Sequence, residues 1–208
     1  MSPQTFTAVL VFTTAMAFTP GPNNVMLAAS GSRFGIRRTL PHLAGVTIGF
    51  PVMLFLVGAG LASVLLASAK LQLGMKIASC AYLLWLAFQI ARSASAGGAA
   101  ERGKPMTFLQ AAAFQWVNPK AWLMAVGAIS AYTSGSGNQL YLQVAIITAI
   151  TLVVGFFSTL TWAAFGAGIR HWLRAPRTLH LFNLAMALLL AVSTLPILIE
   201  IWENLRQN

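Results

Sequence analysis

Thr19-Pro20-Gly21-Pro22-Asn23-Asn24 sits inside an apolar run that extends from about Phe6 to Ser30. Crossing a bilayer takes about 20 mostly apolar residues, so the run is long enough to span. A proline supplies no backbone N–H, and its ring clashes with the preceding turn. Two prolines around a glycine therefore predict that this span kinks or breaks at Pro20, Gly21 and Pro22. Carbonyls freed in lipid are costly unless they face protein or a water-filled cavity. Asn23 and Asn24 add donors and acceptors just past the break. If the helix restarts there, its first amides are placed to hold a carboxylate. The plainer alternative is a kink used for packing, with the asparagines bonding between helices.

Five more apolar runs follow, at about Leu40–Leu66, Leu71–Ala91, Phe108–Tyr132, Leu140–Ile169 and Leu179–Trp202. The polar stretches between them include RSASAGGAAERGKP from Arg92 to Pro105, TSGSGN from Thr133 to Asn138, and RHWLRAPR from Arg170 to Arg177. The expected fold is an all-α integral membrane protein with six transmembrane helices. Composition agrees: 58% of the 208 residues are hydrophobic and 8% are charged, against about 25% charged in a soluble domain. Residues 1–208 read as one domain, with halves of about 1–92 and 106–208 joined by a loop at 93–105. The first fourteen residues hold no Lys or Arg. A cleavable signal peptide would need a basic n-region, so the first run is expected to remain as a span.

The fourth run carries the second motif, Gln115-Trp116-Val117-Asn118-Pro119-Lys120. Pro119 again predicts a broken helix. A lysine well inside a span costs about 2.5 to 3.5 kcal/mol on insertion scales, and its stem is hard pressed to snorkel out. Lys120 reads as a cation lining a pathway and pairing with a carboxylate, or as a lysine tied to the carbonyls of a broken helix. The stretch Ala15–Ala28 (AMAFTPGPNNVMLA) can be laid on Ala112–Ala125 (AAFQWVNPKAWLMA), with Pro22 opposite Pro119 and Asn23 opposite Lys120. Three spans per half would make the halves inverted repeats. That is a common transporter plan, with the site where broken helices meet near the midplane.

Lys and Arg set the expected orientation. Arg33, Arg37 and Arg38 follow the first run, Arg92, Arg102 and Lys104 the third, and Arg170, Arg174 and Arg177 the fifth. Those nine of the thirteen basic residues share one face, while Lys70, Lys76 and Arg206 fall to the other. Loops 31–39, 92–106 and 170–178 are therefore expected in the cytoplasm and both termini in the periplasm. The natural setting is a bacterial inner membrane.

The net charge of +10 does not indicate nucleic acid, because the basic residues form no stripe with aromatics between them. Cys80 is the only cysteine, so there is no internal disulfide and no CxxC pair. No grouping of His, Cys and carboxylates suggests a metal site, and none of Ser, His and acid suggests hydrolysis. No cofactor is expected. The chain has no Asp, and its three acids are Glu101, Glu200 and Glu203. A buried carboxylate for proton coupling is thus not evident, which leaves Lys120 and His42 as candidates. His42 begins the second span beside Pro41 and equally suits the headgroup level. Gly45 and Gly49 are spaced GxxxG, for packing within the chain or between copies in a homo-oligomer. Trp172 and Trp202 read as interface anchors, and Trp116 and Trp122 as borders of the cavity.

With PGPNN and NPK in place, the chain resembles the LysE/RhtB family of bacterial amino-acid exporters over nearly its whole length. TPGPNN and the run from Leu43 to Phe50 look most like the cysteine/O-acetylserine exporter branch. Other branches commonly carry an aspartate soon after PGP, where this chain has Asn23. The resemblance implies a secondary transporter that exports a small amino acid, drawing on protons and using no ATP. Exporters of threonine, homoserine or another neutral amino acid are the near alternative. An uncoupled channel or a membrane accessory subunit is the alternative of another class. The expected site has Pro20, Gly21, Pro22, Asn23 and Asn24 on one wall and Gln115, Asn118, Pro119 and Lys120 on the other.

Overall fold

The computed structural model describes residues 1–61, 69–92, 104–134, 137–169 and 175–207. Glu101, Arg102, Arg170, Trp172 and Arg174 lie outside them, with most of the expected central loop. The regular structure of the described residues is all helix, without a strand. The helices are α1 (Pro3–Phe18), α2 (Pro22–Phe34), α3 (Ile36–Leu56), α4 (Ala69–Arg92), α5 (Phe108–Phe114), α6 (Pro119–Tyr132), α7 (Asn138–Ile169), α8 (Pro176–Val192) and α9 (Leu195–Gln207). α3 runs on into a wider π-helical turn at Val57–Leu61.

Among the described residues, four stretches are long and apolar enough to cross a membrane: Ile36–Leu61, Gln72–Arg92, Asn138–Ile169 and Arg177–Ile199. The first and fourth expected spans instead appear as shorter pieces, α1 with α2 and α5 with α6. Proline is the reason. Pro22 and Pro119 each stand at the first position of a new helix, where a missing N–H costs nothing. The sixth expected span is also interrupted, at Ser193–Thr194. There the Ser193 and Thr194 hydroxyls donate to the carbonyls of Leu190 at 2.6 Å and Ala191 at 2.7 Å, taking up acceptors at the end of α8.

α3 and α7 form the centre. The α2–α7 packing is the most extensive, followed by α3–α7 and then α3–α5, while α4 lies along α8 and α9. Glycines allow these crossings. A Cβ on Gly31 would collide with the Ala163 carbonyl of α7, and one on Gly166 with the Ala28 carbonyl of α2. The GxxxG pair works the same way inside the chain. A Cβ on Gly45 would strike the Phe108 carbonyl, and one on Gly49 would come within 2.6 Å of the Ala112 Cα. That face is spent on α5. Gly35, with φ 75°, takes up the left-handed turn that joins α2 directly to α3, a conformation open to glycine at little cost.

Large apolar side chains cover the outside. Trp85, Phe88, Phe157, Leu181 and Leu188 are each more than half exposed. A surface of this kind suits lipid rather than water. The interior instead holds paired polar groups. Thr47 and Thr159 join α3 to α7 by a buried 2.8 Å hydroxyl contact, and Ser30 and Thr39 join α2 to α3 at 3.0 Å.

Candidate functional site

The first break leaves carbonyls without their usual donors. In a continuous helix each N–H bonds the carbonyl four residues back. Pro20 and Pro22 have no N–H to give to Met16 and Phe18. The chain turns extended through Thr19 and Gly21 before α2 begins. Side chains then supply what the backbone cannot. The Thr19 hydroxyl donates to Met16 O at 2.9 Å. Asn24 Nδ2 donates to Ala17 O at 2.7 Å and to Thr19 O at 2.9 Å. Ser158 of α7 donates to Ala17 O at 2.7 Å. Asn24 thus reaches back over the break and holds the end of α1 to the start of α2.

Lys120 completes this set from the other broken span. Its Nζ donates to Thr19 O and Thr19 Oγ1, each at 2.9 Å, and lies 3.5 Å from Pro20 O. Of the two readings of this lysine, the described geometry has it tied to broken-helix carbonyls. A cation is favoured there, because a helix C-terminus carries partial negative charge. Gly21 makes room: a Cβ on it would come within 2.8 Å of Lys120 Cδ.

The second break closes upon itself. α5 starts with a capping box between Thr107 and Gln110 and tightens into a 3-10 turn at Gln115–Val117. Asn118 N donates to Gln115 O at 3.3 Å, and Asn118 Oδ1 accepts from Lys120 N at 3.1 Å. Trp122 Nε1 donates to Trp116 O at 2.9 Å, and the two indoles meet edge to face at 6.1 Å. The breaks are bolted together by Asn23 and Gln115. Asn23 Nδ2 donates to Gln115 Oε1 at 2.8 Å, and Gln115 Nε2 donates back to Asn23 Oδ1 at 3.1 Å. The remaining Gln115 proton goes to Ala111 O at 2.9 Å.

Beside these contacts lies a cavity of about 60 Å³, room for about four waters. Of the residues expected at the site, Gly21, Asn23, Asn24, Asn118 and Lys120 line it. Pro20, Pro22, Gln115 and Pro119 do not. Gln115 is fully buried behind Asn23, and the prolines set the backbone. Trp116 and Trp122 also stand off the cavity, turned toward each other. α3 and α7 supply lining that the motifs did not reveal, including Thr47, Thr151, Ser158 and Thr159. Their one signal in sequence is a hydroxyl in an apolar helix, which is common there. His42 is away from the cavity. It is 2% exposed, not at a headgroup surface, and among the described residues neither ring nitrogen has a hydrogen-bond partner. No cluster of three or more His, Cys, Asp or Glu that could hold a metal occurs among the described residues.

Apolar helices interrupted at prolines around a small cavity are the architecture of a multi-pass membrane protein. Residues 14–200 match the family described as LysE type translocator, and the chain belongs to that family. A cysteine/O-acetylserine efflux protein of Salmonella choleraesuis is 31% identical over 91% of this chain and 95% of its own length. The protein of that name from Escherichia coli K12 is 32% identical over 80% of this chain and 84% of its own. One from Klebsiella pneumoniae is 31% identical, again over 80% and 84%. No solved structure matches the chain.

Proposed function

We propose that this protein is a secondary transporter exporting a small amino acid or derivative, of the cysteine/O-acetylserine kind, across the inner membrane and driven by the proton motive force. The cavity at the meeting of the two breaks carries the reading. It offers amide side chains from Asn23, Asn24 and Asn118, hydroxyls from α3 and α7, and a cation on Lys120, in a space suited to a small zwitterion. The efflux proteins named above support the substrate class. In this reading α1 with α2, and α5 with α6, are each one discontinuous span, making six. Pro22 and Pro119 restart equivalent helices of two inverted three-span halves. The loops rich in arginine face the cytoplasm and both termini the periplasm. Lys120 meets the substrate carboxylate, while Lys120 or the buried His42 carries the coupling proton.

Efflux from preloaded cells tests this. Cysteine, O-acetylserine, threonine, homoserine, leucine and lysine are compared with and without a protonophore. Export of cysteine or O-acetylserine, stopped by the protonophore, is the expected result. Export of threonine or homoserine alone would move the substrate within the family. Flux indifferent to the protonophore would mean an uncoupled channel, and no flux from protein present in the membrane would reject transport of these compounds.

A further inference from the structure

The Lys120 ammonium is a primary ammonium with three N–H donors. It faces three acceptors, the Thr19 carbonyl, the Thr19 hydroxyl and the Pro20 carbonyl. Two further facts bear on what that nest is for. Thr19 and Pro20 do not line the cavity themselves, but the acceptors are held by Asn24 and Lys120, which do, as does the neighbouring Gly21. The nest is also open to exchange: its occupant arrives on a flexible stem from a residue 101 positions away, not as part of the backbone. An amino acid brings an α-ammonium with the same three donors and the same charge. We propose that the Thr19–Pro20 carbonyl nest is the amine subsite, and that Lys120 fills it with its own ammonium until the substrate's ammonium displaces it. This deepens the export reading and rests on it for the identity of the displacing molecule. Once displaced, Lys120 remains beside the same cavity, free to meet the carboxylate of the zwitterion that evicted it. One side chain then serves as stand-in for the amine in the empty site and as partner for the acid in the filled one.

A tethered occupant competes at a high effective concentration. Removing it should therefore uncover the nest for a simple amine. The experiment measures binding of ethylammonium to purified protein in lipid nanodiscs at neutral pH, through the ligand-induced rise in thermal midpoint. Lys120→Met vacates the nest. Gly21→Ala keeps the lysine but places a Cβ within 2.8 Å of its Cδ and 3.1 Å of its Nζ, levering it out. Gly21 is extended, with φ −174°, so alanine is not strained there. Each variant should bind ethylammonium at least about tenfold more tightly than wild type. Tetramethylammonium, with the charge but no N–H, should gain nothing. Should Lys120→Met fail to fold, Gly21→Ala carries the test alone. No gain for ethylammonium, or an equal gain for tetramethylammonium, overturns the subsite. Amino-acid export without an ethylammonium gain would sink the subsite and leave the transporter standing. An ethylammonium gain in a protein that exports no amino acid would do the reverse.

Discussion

Two proline breaks in one molecule solve the same problem differently. At the first, α1 ends and α2 begins across Thr19–Gly21, and the freed carbonyls are served from outside: by Asn24 from the next helix, by Ser158 from α7 and by Lys120 from α6. At the second, α5 and α6 are separated by the 3-10 turn Gln115–Val117 and Asn118, and the turn and the Asn118 side chain close the gap with local bonds. The number of prolines makes the difference. Pro22 and Pro119 each start a helix, where the missing donor had no partner anyway, but the first break adds Pro20, which withdraws a further donor two residues earlier. The first break is thus an acceptor-rich nest held by exchangeable side chains. The second is a rigid platform that presents a cation to it.

The largest effect that follows falls on Lys120, the side chain that crosses between the breaks. Lys120→Ala should reduce efflux to the vector background, with membrane abundance unchanged by immunoblot. Unchanged efflux would remove the lysine from the mechanism. Next comes Asn24→Ala, which deletes two bonds across the first break. At about 1 kcal/mol for each bond, the loss should be about 2 kcal/mol, read in denaturant unfolding in detergent. Asn118→Ala removes one cap bond at the self-closed break and should cost about 1 kcal/mol. If it cost more than Asn24→Ala, the contrast between an externally served and a self-closed break would fail. The smallest effect concerns the bolt between them. A double-mutant cycle on Asn23→Ala and Gln115→Ala should give a coupling of about 0.6 kcal/mol, the usual size for polar pairs between membrane helices. Zero coupling would mean that the two amides merely sit side by side.

The long spans, the two interruptions and the polar motifs at them can be read from residues 1–208 in order, because each follows from local chemistry. Apolar length sets which segments suit lipid, and a proline withholds its N–H whatever surrounds it. Everything that pairs distant residues waited for packing. Lys120 had two readings until α6 was set against α1, placing its ammonium on Thr19. Thr47, Ser158 and Thr159 look like ordinary hydroxyls in apolar helices until α3 and α7 turn them inward. Gly45 and Gly49 could serve one chain or two until Phe108 and Ala112 of α5 lay against them. His42 could lie at a surface or inside until its helix was enclosed. A break is a property of the backbone at one place. A partner is a property of two places, and only the folded arrangement of helices brings them within reach.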